Sequence, residues 1–263
     1  LQVGLAKGLA AGGRAQFDLL GFDCCLMAAV EVLHAVRPYG KVLLSSEQLE
    51  PGEGWHYSAW LSALIAQPSM PSEQLAGRIC DSFKAFFDRN ADPQVRGQGG
   101  NITLSAIDAG KVPAVVAAVD ALAARLADGL EQGGWARWLG IAKALRASEE
   151  YAGTGHHDLV DLAENLRGQG ADAECAAVVS AVKAAVLHRI GSADCPRAHG
   201  ISIYFPRVVP EPEGEGADPL ATYAPCACSA SWADLVGAFH EIAAADDAPP
   251  DVTNLDSSDA QLG

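Results

Sequence analysis

The chain has 263 residues, 49% of them hydrophobic and 19% charged, a balance that supports a full globular core as one or two domains and excludes an intrinsically disordered protein. A net charge of −15 and an isoelectric point near 4.7 set it against nucleic-acid phosphates and anionic lipid headgroups and favour cationic ligands. No stretch approaches the roughly 20 uninterrupted apolar residues that a membrane-spanning helix needs.

The chain opens at Leu1 and soon reaches its first motif, so it reads as a fragment or a processed product, with any export signal lying upstream. Phe17 to Phe22 (FDLLGF) has the length and composition of a buried strand. A helical pattern follows at once, with Leu26, Val30 and Leu33 at helical spacing and Pro38 and Gly40 ending it. Lys41 to Glu47 (KVLLSSE) reads as a second buried strand, which makes a strand, helix, strand crossover and places the fold in the α/β class. Helices are predicted over Tyr57 to Ala66, Glu73 to Arg89, Val112 to Leu130, Trp135 to Ala147, Asp158 to Leu166 and Asp172 to Ile190. Strands are predicted at Asn101 to Asp108 and Gly200 to Phe205, the latter closed by Pro206 and expected to return to the sheet. A last helix starts at Ser231, where Asp234 completes a capping box ahead of Leu235, Phe239 and Ile242. Pro210 to Pro219 reads as an exposed loop. The residues from about Ala244 onward read as a disordered, acidic tail. The chain therefore divides into 1–108, a helix-rich 109–243 with its late strand at 200–206, and the tail 244–263.

Seven cysteines form an odd set in a chain large enough to fold without staples, so no disulfide framework is implied. Cys226 and Cys228 lack a second pair at zinc-finger spacing and read as structural or surface thiols rather than ligands. Cys24 and Cys25 fall just past the carboxyl end of the first strand and at the first turn of the following helix. Ligands gather there in α/β sheets, and a helix N-terminus favours a thiolate, although simple packing competes as an explanation. Asp23 reads either as the cap of that helix or as a site acid, and Glu53 either as a solvated turn residue or as a site acid. Met27, Val30 and Leu33 read as core. A thiol nucleophile also needs a base, normally a histidine. His34, His56, His188 and His240 read as surface or core residues. His156 and His157 are neighbours that point apart, which disfavours a metal there, and no calcium-loop run of the DxDxDG type is present.

Four segments in order, FDLLGFDCCLMAAVEV, SSEQLEPGEGWHY, TLSAID and GISIYFP, spanning residues 17 to 206, resemble the clostripain family of cysteine peptidases. The helix with Trp232 resembles the family's closing segment, and the first two motifs are the specific ones. The resemblance implies a caspase-like fold, with residues 1–108 as the cysteine-bearing part of its catalytic core, and an endopeptidase that cuts protein or peptide substrates after Arg or Lys through a thioester. It makes Cys25, directly before Leu-Met, the nucleophile, and Cys24 stands where the family has alanine. It assigns Asp23 and Glu53 to the primary specificity pocket, with Glu53 standing where an aspartate is expected, which implies a shallower pocket. The family's catalytic histidine precedes a glycine upstream of the cysteine motif, and no histidine precedes Cys25 here. His199 does precede Gly200 but leads into GISIYFP and reads as a structural loop residue. The resemblance therefore points to a C-terminal part, either a heavy chain whose separate light chain carries the histidine or a truncated sequence, inactive on its own. Calcium enters only because some relatives respond to it. The rival readings are a caspase-like peptidase with different pocket chemistry and a non-catalytic basic-peptide-binding domain or degraded copy.

Overall fold

The structure is a computed structural model that describes residues 1–209 and 219–244. In chain order the elements are α1 (Gln2–Ala11), β1 (Phe17–Gly21), α2 (Val30–Val36), β2 (Gly40–Ser45), α3 (Tyr57–Ala66), α4 (Ser72–Arg89), α5 (Pro93–Gln98) and β3 (Thr103–Asp108). They continue with α6 (Val112–Ala147), β4 (Glu150–Tyr151), β5 (His156–Asp158), α7 (Leu159–Asn165), α8 (Asp172–Ala185), β6 (Val186–Gly191), β7 (Ser202–Tyr204), α9 (Pro219–Tyr223) and α10 (Ala230–Ala244).

The main sheet has the order β1-β2-β3-β6, with β1 and β2 parallel and the other two pairs antiparallel. Along Val42, Leu43 and Leu44 of β2 the side chains alternate between two cores, which is why this stretch is continuously apolar. Leu43 joins a core with α2, α6, α8 and α10 that includes Val30, Leu33, Val115, Val178, Trp232 and Phe239. Val42 and Leu44 face the opposite side, where α4 presents Leu75, Ile79, Phe83 and Phe87 at a spacing of four residues. Each such buried side chain contributes about 1.5–3 kcal/mol. The sheet thus lies between two helical layers, in the caspase-like α/β arrangement expected from the sequence.

Several expectations need correction. β1 is not a buried strand: it is an edge of the sheet among the described residues, and Phe17 is 39% exposed. The helix after β1 begins only at Val30, because residues 22–29 send backbone hydrogen bonds to the loop after β2 instead of to one another. The two helices predicted at 112–130 and 135–147 are halves of α6, bent where Gly134 adopts φ 50°, ψ −131°. The helix predicted to Ile190 stops at Ala185, and Val186–Gly191 becomes β6 with alternating exposure. The late strand β7 does not return to the main sheet. It completes a second sheet of order β4-β5-β7 and meets the first motif through a parallel bridge from Ser202 to Ala29. α10 begins at Ala230, capped by Ser229, whose hydroxyl accepts the Trp232 N–H at 3.1 Å, so Ser231 is not the cap. Pro219, expected in a loop, opens α9, while 210–218 and the tail beyond Ala244 lie outside the described residues.

Candidate active site

β1 and β2 run parallel, so the loops beyond their carboxyl ends lie side by side, and the two chains are laced together there. The Leu26 N–H donates to the Gln48 carbonyl at 3.2 Å and the Ala28 N–H to the Ser46 carbonyl at 2.9 Å. The loop after β2 is fixed in turn by buried Thr103 of β3, whose hydroxyl oxygen accepts from the Glu47 and Gln48 N–H groups, each at 3.0 Å. Leu26 carries φ 60°, a left-handed conformation that costs a branched residue energy and reverses the chain directly after Cys25. Cys24 and Cys25 are both exposed and free as a result. The Cys25 sulfur accepts the Glu50 N–H at 3.2 Å and makes a long contact of 3.9 Å with the Glu50 carbonyl. With α2 starting at Val30, no helix N-terminus lies under this thiol, so the electrostatic argument made from the sequence does not apply.

Asp23 does not cap a helix. Its Oδ2 accepts the Trp55 N–H at 3.1 Å and the Tyr57 hydroxyl at 2.9 Å, while its Oδ1 is shielded and without a hydrogen-bond partner among the described residues. The approach requires glycine at position 54, where φ is +64° and a Cβ would stand 2.6 Å from Asp23 Oδ2. Burial together with the bond to Asp23 pushes the Tyr57 hydroxyl up to about 12, keeping it a donor. Trp55 is buried and stacks on Tyr57, and its indole N–H donates to Glu50 Oε1 at 3.3 Å. Burial, with the Asp23 charge as a lesser contribution, pushes the Glu50 carboxyl up to about 8. Glu53 lies exposed in the same loop, and its Oε1 accepts from Gln98 Nε2 of α5 at 3.1 Å. Asp23 and Cys25 thus both bond to the loop after β2 in the crevice between the two loops, whereas Glu53 is exposed and held to α5. Glu50, Trp55 and Tyr57 were missed by the sequence reading, although their place directly after the second parallel strand was a signal that they would face the crevice.

None of the seven histidines hydrogen-bonds to Cys25 among the described residues. His188 pairs with Asp81 at 2.8 Å, His156 Nδ1 contacts the Thr154 hydroxyl, and His56 packs on Phe86. His157 and His240 are buried. His199 is tied by backbone N–H and Nδ1 to Asp158, a bond that raises its basicity. The same Asp158 caps α7 and lies against Glu47, whose Oε2 accepts the Gly200 N–H at 2.8 Å. Among the described residues no cluster of three or more His, Cys, Asp or Glu side chains is grouped to hold a metal ion, and Cys226 and Cys228 are free thiols.

The description of the Clostripain family matches this chain over residues 4–208, which include Asp23, Cys25 and Glu53. No curated protein sequence matches it. Among solved structures, a clostripain from Bacteroides thetaiotaomicron in complex with the peptide inhibitor BTN-VLTK-AOMK shares 17% identity at a TM-score of 0.56, covering 87% of this chain and 92% of that one. A cysteine protease of B. fragilis shares 18% at 0.53 over 89% and 92%. A secreted cysteine protease from Bacteroides thetaiotaomicron, in complex with an irreversible peptide inhibitor, shares 19% at 0.56 over 88% of this chain and 60% of that one. The structural likeness carries the fold, the family match carries the chemistry, and the chain belongs to the clostripain family of cysteine peptidases.

Proposed function

We propose that the chain is the cysteine-bearing part of an endopeptidase that cleaves after Arg or Lys, with Cys25 as nucleophile and Asp23 and Glu53 serving the pocket for the basic side chain. The observation that carries this reading is the exposed Cys25 sulfur two residues after Asp23, an acid with one shielded, unpartnered oxygen. The thiolate attacks the scissile carbonyl, forming the C–S bond as negative charge moves to oxygen. Collapse expels the amine, which takes a proton from the base, and water then hydrolyses the thioester. The Cys25 N–H makes no hydrogen bond among the described residues and can donate to the oxyanion. In this reading the base is a histidine on the separate light chain or neighbouring segment that the resemblance implies, and none of the seven histidines hydrogen-bonds to Cys25 among the described residues. β1 is an edge of the sheet among the described residues, and a strand carrying that histidine would pair there. The clostripain of like fold was captured with an inhibitor whose peptide ends in lysine, in keeping with a basic preference.

An electrophile built on Arg or Lys should label Cys25 in the histidine-supplemented protein, and the label should survive Cys24→Ala. Hydrolysis by the chain alone should be lower by about 10²–10⁴, the contribution of a general base. An adduct mapped to Cys24, or unchanged proteolysis in Cys25→Ala, would sink the assignment. Basic-peptide binding with no turnover under any supplementation would favour the non-catalytic reading, which the lack of a Cys–His contact supports.

A further inference from the structure

Where α6 bends at Gly134, its two halves meet the turn between α7 and α8 around a polar cavity of about 180 Å³. Arg125, Gln132, Gly133, Arg137, Gln169 and Gly170 line it. Arg125 and Arg137 lie on either side of the bend, at a separation that on a straight helix would be about 18 Å along the axis, yet both reach Gly170. Arg125 Nε donates to the Gly170 carbonyl at 2.9 Å. At Gly170, where φ is +79°, a Cβ would stand 3.1 Å from a terminal nitrogen of Arg137. Gly133 leaves the room that the Arg137 stem takes, and Gly140 leaves the room that the Gln169 amide takes. Glycines, not acids, therefore hold this arginine pair. Among the described residues neither Arg125 nor Arg137 has an ion pair. No hydrogen bond there engages the Arg137 guanidinium or the side-chain amides of Gln132 and Gln169. Two guanidiniums brought to one glycine repel each other, and an anion between them would turn that repulsion into attraction.

We propose that this cavity binds phosphate, either the free ion or the phosphate group of a small ester. Two planar forks arriving from separate segments offer donors to more than one face of a tetrahedral, doubly charged anion, whereas a carboxylate presents only two oxygens in one plane. Gln132 and Gln169 add neutral donors. The cavity is smaller than the roughly 300–1,000 Å³ of pockets for drug-sized ligands, which suits a small anion. None of its lining residues belongs to the loops around Cys25, so the site is separate from the candidate active site. A bound phosphate ties both halves of α6 to the turn before α8.

Isothermal titration of the full chain with inorganic phosphate and with glycerol phosphate, at an ionic strength held constant with chloride, should show saturable binding. Arg137→Gln and Arg125→Gln should each weaken it by about tenfold or more. Tighter binding of the ester would identify a small phosphorylated molecule as the occupant and tighter binding of phosphate the free ion, and either result supports the site. In the unsubstituted chain, phosphate should also slow the modification of Arg125 and Arg137 by phenylglyoxal, read by peptide mapping, while leaving exposed Arg14 unprotected. This second measurement keeps the proposal testable should a variant misfold. Absence of saturable binding, binding unchanged in the double variant, or equal protection of Arg14 would overturn the site. Acetate bound as tightly as phosphate would overturn the choice of a phosphate ligand.

Discussion

Glu47 and Glu50 sit three residues apart on the loop after β2, and both share burial with an aspartate, yet their surroundings differ in kind. Glu47 and Asp158 are wholly buried, and each is tied to backbone N–H groups, although Glu47 Oε1 has no hydrogen-bond partner among the described residues. Asp158 accepts from the Asp161 and His199 backbone N–H groups and from the His199 ring, and Glu47 accepts from Gly200. Burial first, and the Asp158 charge second, hold the Glu47 carboxyl well above the usual range. Glu50 and Asp23 are only part-buried, and each has one shielded oxygen without a partner among the described residues. The interior pair ties α7 to the turn at His199 and Gly200, whereas the other pair holds only the loop of Trp55 and Tyr57 beside Cys25.

Breaking the interior pair should have the largest effect on stability. Asp158→Ala removes the cap of α7 and both anchors of His199 and leaves Glu47 without its neighbour, so urea denaturation should show a loss of about 3–5 kcal/mol. A loss below about 1 kcal/mol would mean that the interior acids are as dispensable as surface ones.

The crevice pair should behave in the opposite way. A carboxyl whose folded pKa is raised binds its proton more tightly in the folded state, so its stabilisation is complete below the unfolded value and is lost as pH rises through the folded one. Glu31, buried and pushed up to about 7, and Glu50, pushed up to about 8, place that loss between roughly pH 4.5 and 8. Thermal stability should therefore fall across this window, and Glu50→Gln should flatten the fall and leave the chain about 1 kcal/mol more stable at pH 8. A pH profile identical to that of the unsubstituted chain would show that Glu50 is not desolvated. Smallest of all, Glu53→Gln should change stability by less than about 0.5 kcal/mol, since an exposed acid with a single neutral partner contributes little.

The sequence made Asp23 and Cys25 legible because the motif lies directly after an apolar strand and needs no distant partner to be noticed. It misplaced the helix start because Leu26 and Val30 carry helical spacing, whereas the backbone between them is claimed by Ser46 and Gln48, a tertiary pairing that no local pattern records. β6 was hidden because an Ala- and Val-rich helix runs into it without a break. β4 and β5 are too short, at two and three residues, for periodicity to show. Glu50 was illegible for another reason. An acid before Pro51-Gly52 is ordinarily solvated, and only the indole of Trp55 folding over it takes that water away.

Trp55 reaches its position because β1 ends in Gly21, where a Cβ would stand 2.7 Å from the indole ring. Gly21 of the sheet, the aromatic ring and the two acids bonded to Trp55 therefore form one mechanical unit. A side chain gained at Gly21 would shift the ring and with it the partners of Asp23 and Glu50 together.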